Sequence, residues 1–166
     1  MPAKNAYAAE SKTTTIDGVT YTWETWSESD KLARITAISS EKSAVVVPEK
    51  IDDFYVSRID LYDIFSDDVR LSKAITSLDV TKSSRLVSLR CIKTYLTALN
   101  ASGCKSLFYL NCEGGTNHAD SSGILASLNV SGCTALTDLR CNYNNLTSLN
   151  LSGLISLERL ECDWNK

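Results

Sequence analysis

The sequence predicts a β-rich solenoid of about four coils of 21 residues, set behind a β-rich N-terminal cap. Three observations predict it. The line LASLNVSGCTALTDLRCNYNN (Leu125 to Asn145) is followed directly by LTSLNLSGLISLERLECDWNK (Leu146 to Lys166), and the two agree at most apolar and turn positions. Looser copies begin at Ile75 and Leu96. Each copy holds apolar-x-apolar triplets, the in-out-in pattern of a short strand. A unit that cannot bury its apolar face alone does so by stacking on copies of itself.

The bulk composition narrows the classes of function. At 166 residues, with 43% hydrophobic and 22% charged content, the chain suits one globular domain with a sizeable core. A net charge of −3 is too weak to argue for nucleic acid or an anionic membrane surface as partner. The longest apolar run, Ala44 to Val47, cannot span a bilayer, so no membrane insertion is expected. An apolar signal-peptide region is missing. Ala6-Tyr7-Ala8 reads either as the remnant of a small-x-small cleavage site or as part of an Ala-rich tail.

Residues 1–15 are polar and Ala/Ser/Thr/Lys-rich and read as a disordered tail. Residues 16–74 read as the β-rich cap that covers the apolar end of the coils. Within it Val19, Tyr21 and Trp23 alternate with Thr20, Thr22 and Glu24, Ser27 to Lys31 is a turn cluster, and Leu32 to Ile38 alternates again, which together predict a hairpin over Ile16 to Ser39. Ser43 to Pro48 is a β-branched strand ended by proline, and Tyr55 to Leu61 another short strand. Ile64 to Ala74 suits one or two helical turns, with Ser66 as N-cap and Asp67-Asp68 in the first turn. Trp23 and Trp26 read as cap packing.

Residues 75–166 carry the coils. Units start at Ile75, Leu96, Leu125 and Leu146, and the second is lengthened by a glycine-rich, polar insertion near 113–123. The shared pattern is L-x-x-L-x-[VAL]-x-x-x-x-x-L-x-x-L-x-C, with Ser-Gly turning the corner at Ser102, Ser131 and Ser152. Leu136 to Leu146 reads L-T-D-L-R-C-N-Y-N-N-L, and Leu157 to Asn165 repeats it. This resembles the leucine-rich-repeat pattern L-x-x-L-x-L-x-x-N-x-L, with cysteine at the third leucine. The chain is similar to bacterial surface leucine-rich-repeat proteins of the internalin-like and BspA-like kind, strongly over Ile75 to Lys166 and moderately over Ile16 to Phe65. Thr94 and Gly115 stand where Asn144 and Asn165 stand in the last two units, so the asparagine ladder at the bend is expected to be incomplete there.

All six cysteines lie in the units: Cys91, Cys112, Cys141 and Cys162 at one position, Cys104 and Cys133 at another. No C-x-x-C pair is present, which argues against zinc, and no metal or other cofactor is expected. Stacked coils put equivalent cysteines ~4.8 Å apart. Their Cβ atoms then stay beyond the ~3.8 Å a disulfide prefers. Buried thiols acting as small hydrophobes are favoured over disulfides. His118, the single histidine, falls in the insertion near Glu113 and Asp120 and reads as a solvated loop residue. No Ser/His/Asp set, phosphate loop or HExxH motif appears, so an enzyme is not expected.

The outward residues of the second strand of each unit are Ser88 and Arg90, Tyr109 and Asn111, Asp138 and Arg140, and Arg159 and Glu161. The resemblance implies that this strip lines a binding face. Arg90, Tyr109, Asn111, Asp138, Arg140, Arg159 and Glu161, with Tyr143 and Trp164 beside them, are therefore the candidate partner-binding residues, Arg and aromatic side chains being the usual anchors. The implied function is a non-catalytic binding or adhesion module for a protein or glycan, outside the cell or on its surface. The alternatives are a structural spacer, a fragment of a longer repeat protein, or a regulatory domain of a larger enzyme. Lys166 falls before a further unit would begin, which suggests pairing through an uncapped C-terminal coil.

Overall fold

The Asp17-Gly18 dipeptide sets the first hairpin. Both residues have positive φ, 51° and 76°, as a two-residue turn between twisted strands requires. The turn joins β1 (Lys12–Ile16) to β2 (Val19–Ser27), with Ile16 opposite Val19 and Lys12 opposite Trp23. β1 thus begins within the stretch expected to be a tail. The turn at Glu28 to Lys31 then leads into β3 (Leu32–Ser39), antiparallel to β2.

The structure, a computed structural model, describes residues 10–61, 71–72, 74–115 and 124–166. Most of the expected helical turn over Ile64 to Ala74, with Ser66, Asp67 and Asp68, lies outside them, as do His118 and residues 116–123 of the insertion. Short strands follow β3: β4 (Ala44–Val46), β5 (Lys50–Ile51), β6 (Phe54–Asp60), β7 (Ser77–Asp79), β8 (Ser88–Arg90), β9 (Ala98–Asn100), β10 (Tyr109–Asn111), β11 (Ser127–Asn129), β12 (Asp138–Arg140) and β13 (Arg159–Glu161). They form two sheets. The larger is nine-stranded and mixed, in the order β1-β2-β3-β6-β8-β10-β12-β13, with β5 also paired to β6. The smaller, β11-β9-β7-β4, is parallel throughout.

This arrangement, all-β among the described residues and with neither sheet closed into a barrel, corrects the expected leucine-rich-repeat solenoid. One mixed sheet joins a long antiparallel hairpin to three-residue parallel strands, which is not the arrangement of a typical leucine-rich repeat. The physical reason lies in what a repeat pattern can report. It shows which positions are alike, and so which side chains share an environment. It is silent on the strands to which the repeated ones hydrogen-bond at either margin.

Equivalent residues of the four similar segments do lie side by side. Leu89, Leu110, Leu139 and Leu160 are successive register partners in the large sheet, as are Leu78, Leu99 and Leu128 in the small one. Residues 44–61 share both sheets with them: Val45 partners Leu78, and Ile59 partners Leu89. The N–H of Leu61 donates to the Arg90 carbonyl at 2.8 Å, as that of Cys91 does to Asn111 (2.9 Å), Cys112 to Arg140 (2.8 Å) and Cys141 to Glu161 (2.8 Å). Between the sheets one buried apolar cluster runs from Val19 to Leu154. Removing this much apolar surface from water is the main force holding such short strands together.

The corners between the sheets are fixed by side chains. Asp79, Asn100, Asn129 and Asn150 each accept, through a side-chain oxygen, the N–H two residues on, at 2.8 to 3.2 Å. Gly103, Gly132 and Gly153 follow with φ of 74° to 82°. A Cβ on Gly132 would meet the Gly103 backbone at 3.5 Å, so successive corners also approach closely there.

Candidate functional site

The outward face of the large sheet carries two side-chain rows across its strands. Successive register partners give Glu24, Arg34, Arg58, Ser88, Tyr109, Asp138 and Arg159 in one row, and Asp60, Arg90, Asn111, Arg140 and Glu161 in the other. The in-out alternation of strands puts the residues between them into the core and turns these groups to the opposite face, where Asp60, Ser88 and Asn111 are themselves covered.

Ion pairs link several of these groups, although Arg34 and Arg58 stand side by side as like charges. The Arg34 guanidinium bridges Asp60 (2.6 Å) and Glu24 (2.8 Å), and Asp60 also lies 3.9 Å from Arg90. Arg140 grips Asp138 through two bonds of 2.9 and 3.0 Å and reaches Glu161 at 4.0 Å; Arg159 bonds Glu161 at 2.8 Å. Burial works against the charge of Arg34, but the two carboxylates outweigh it and raise its pKa. The Arg140 pKa rises above the ordinary guanidinium value chiefly through the hydrogen bonds to Asp138. Both cations therefore keep full charge at any physiological pH.

Tyr109 sits at the middle of this strip. The Arg90 and Arg140 guanidinium carbons lie 5.1 and 5.7 Å from its ring centroid. Of the candidate residues, Arg90, Tyr109, Asp138, Arg140, Arg159 and Glu161 share this surface. Asn111 is 4% exposed and is therefore a framework residue: it donates to Glu113 Oε2 at 3.0 Å and accepts the Glu113 N–H at 3.0 Å. Ser88 is buried too.

Tyr143 and Trp164 occupy equivalent places just beyond β12 and β13. Both have φ of 56°, a left-handed conformation unusual for large side chains, and their rings stack at 6.0 Å with 9° between planes. The asparagines beside them hold the bend. Asn144 donates to the Cys112, Cys141 and Asn142 carbonyls at 2.8 to 3.2 Å and accepts the Leu125 N–H. Asn165 makes the matching set with Cys141, Cys162, Asp163 and Leu146. Thr94, in the same place, donates one bond, to the Cys91 carbonyl at 3.1 Å.

Sequence reasoning missed the far end of the strip. Trp26 is 47% exposed, which corrects its expected role in packing, while Trp23 is 1% exposed. The Arg58 guanidinium lies 4.1 Å from the Trp26 ring centroid and that of Arg34 5.9 Å from it. Trp26 falls in phase with Thr20, Thr22 and Glu24, so alternation alone would have placed it outward. It also has no cross-strand partner: Thr25 pairs with Ala33 and Ser27 with Leu32, making Trp26 a bulge residue. Glu113 and Asn142 were missed as well; Asn142 donates to Glu113 Oε1 (3.0 Å) and lies 3.4 Å from Glu161 Oε2, tying the β10 and β13 ends together.

No family model, curated protein or solved structure matches this chain. Its surface chemistry alone must carry a functional reading.

The cysteines offer little reactive chemistry. All six are free thiols, five buried and Cys162 exposed. Burial pushes the Cys91, Cys104 and Cys141 thiols up to about 12, that of Cys112 well above its ordinary value, and raises Cys133 as well. A protonated buried thiol is a poor nucleophile. Among the described residues no group of three or more His, Cys, Asp and Glu side chains could hold a metal ion.

Proposed function

We propose that the chain is a non-catalytic binding module that engages a protein or glycan through the outward face of the nine-stranded sheet. The observation that carries this reading is Tyr109, flanked by Arg90 and Arg140, with Arg140 held by two hydrogen bonds to Asp138 and Arg90 lying 3.9 Å from Asp60. An arginine already held in place beside an aromatic ring, as Arg140 is, loses little conformational entropy when a partner arrives, so more of the contact energy appears as affinity. The exposed indoles of Trp26 and Trp164 extend the same kind of surface towards either end.

The test is a defined panel of immobilised glycans and purified peptides, probed with the wild-type chain and with Tyr109→Ala and Arg90→Ala/Arg140→Ala. Binding to at least one probe is expected, lost at least tenfold in the variants while the melting temperature stays close to wild type. Binding that survives these substitutions overturns the proposal. Failure to bind any probe leaves the spacer role as the better account.

A further inference from the structure

Near the hairpin, the outward face carries cations that share no carboxylate. Arg34 of β3 stands opposite Arg58 of β6, and two residues back along β3 Leu32 stands opposite Tyr55. Ser57 is the extra residue between Tyr55 and Arg58, so these two turn to the same side as Leu32 and Arg34. Arg34 is neutralised by Glu24 and Asp60. Arg58, beside it, has no ion pair among the described residues, and its Nε–H is buried without an acceptor. Its guanidinium carbon lies over the Trp26 ring, 4.1 Å from the centroid.

Tyr55 gathers two more cations. The Val87 N–H donates to the Ser57 carbonyl at 2.8 Å, which brings the chain before β8 alongside β6. From there the Arg85 guanidinium carbon reaches 3.9 Å from the Tyr55 centroid, and the Lys50 ammonium lies at 4.2 Å. Both residues are exposed, and neither has a carboxylate partner among the described residues. Glu49, next to Lys50, instead accepts the Ser84 hydroxyl at 2.7 Å.

The arrangement selects the chemistry of a ligand. A guanidinium laid on a ring is held in place and keeps N–H donors at its edge, where the fork matches a carboxylate. With cations over the Tyr55 ring, a sugar or a base must displace them to stack there. The Leu32–Tyr55 and Arg34–Arg58 rows are ~7 Å apart, two residues of strand rise, which is also the interval between alternate side chains of an extended peptide. Glu24, Glu49 and Asp60 border the cations and the whole chain carries a net charge of −3, which opposes a long polyanion.

We infer that Arg58, Arg85 and Lys50, held on Trp26 and Tyr55, bind an acidic peptide in extended form, with carboxylates at alternate positions. The inference rests on the reading of the outward face as a binding surface and names a ligand class for its hairpin end. It uses none of the residues substituted around Tyr109.

Fluorescence anisotropy with a labelled peptide of four Glu-Thr repeats tests it. Binding is expected, weakening as salt rises. A Gln-Thr peptide of the same length should bind at least tenfold more weakly, and four Glu followed by four Thr at least threefold more weakly. Arg85→Gln, at an exposed position outside the strands, should weaken binding at least fivefold. Arg58→Gln should do the same, with Arg58→Lys, which keeps the charge and loses the fork, between it and wild type. Lys93→Gln removes an equal charge at an exposed site past the other end of β8 and should change binding less than twofold. The inference is overturned if the Glu-Thr peptide does not bind, if the block peptide binds as well, or if Lys93→Gln costs as much as Arg85→Gln. It is also overturned if both Gln variants at Arg58 and Arg85 bind like wild type, or if a sulfated oligosaccharide or oligothymidylate binds more tightly. Because Arg85 is not among the residues substituted around Tyr109, such a failure leaves the test of that reading intact.

Discussion

The two margins of the nine-stranded sheet are built differently. At one, β1 is a lysine and four polar or half-exposed residues, Lys12-Thr13-Thr14-Thr15-Ile16, laid over a sealed interior. Tyr21, Trp23, Ile35 and Ile38 beneath it are at most 1% exposed. The Trp23 indole N–H donates to Thr14 Oγ1 at 3.0 Å, and the Lys12 ammonium lies 4.8 Å from its ring centroid. At the other margin a single leucine stands between opposite charges, over a core that is still open. The first design blunts a strand against association with lysine and hydroxyl groups. Among the described residues the interior is thus sealed beneath the hairpin and partly exposed at β13.

The largest expected effect separates interior thiols from the one at the open margin. Cys91, Cys104, Cys112, Cys133 and Cys141 keep their protons in the folded protein at pH values where an unfolded thiol, with a pKa of roughly 8.5, has lost its own. A group whose pKa is raised by folding contributes full stability below its unfolded pKa, and that contribution drains away as pH climbs towards the folded value. For Cys91 and Cys141 the window therefore runs from roughly pH 8.5 to about 12. Each thiol that ionises only on unfolding removes about 1.4 kcal/mol per pH unit within the window. Tyr21, with its pKa pushed up to about 12 by burial and by Asp17, adds to the loss above roughly pH 10. Circular dichroism against pH should show a steep alkaline unfolding. At neutral pH iodoacetamide should modify Cys162 first and the other five only in denaturant. Uniform alkylation of all six in the native protein would break the contrast.

Next in size is a pair of truncations. Trp23→Ala removes a fully enclosed side chain that touches Phe54 at 5.4 Å between centroids, and should cost about 3–5 kcal/mol. Leu160→Ala removes a side chain that is 40% exposed, and should cost about 1 kcal/mol or less. Urea unfolding at unchanged m reads both. Equal costs would show that the β13 end is as closed as the hairpin end.

Much of the molecule is legible in the sequence because environment follows position. The triplets around Leu89, Leu110, Leu139 and Leu160 mark strands, and the polar residues between them mark an outer face. The hairpin over Ile16 to Ser39 is equally readable from alternation. What sequence could not show arises where alternation breaks. Ile35 pairs with Trp23 and Ala37 with Thr22, so Thr36 is an extra residue; this bulge explains why Ile35 and Ile38 are both buried three positions apart. Ser57 is a further extra residue, with Ala33 opposite Val56 and Arg34 opposite Arg58. Its hydroxyl donates to the Ala33 carbonyl at 3.2 Å. These slips aim Arg34 and Arg58 at Trp26, a grouping assembled from three strands that no spacing within one of them encodes. The Asp17-Gly18 turn was written plainly enough, and with it β1; Asn111 misled because its alternation is that of a surface residue while Glu113 covers it.

The smallest of these contrasts compares two residues with the same bonds at different distances from the open end. Asn144 is 7% exposed and serves one N–H and three carbonyls. Its replacement by alanine leaves the Leu125 N–H and the Cys112 carbonyl without their partner where water has little access. An unsatisfied buried polar group costs about 1–3 kcal/mol. Asn144→Ala should therefore lower stability by about 2–3 kcal/mol. Asn165 makes the same set, but two of its bonds, to Cys162 and Asp163, lie in exposed surroundings where water can substitute. Asn165→Ala should cost about 1 kcal/mol. Thr94 shows that the place tolerates a single bond, as long as the carbonyls around it find other partners. Thermal unfolding at a fixed, low protein concentration decides the order. If Asn165→Ala proves as costly as Asn144→Ala, water does not reach the β13 end in solution.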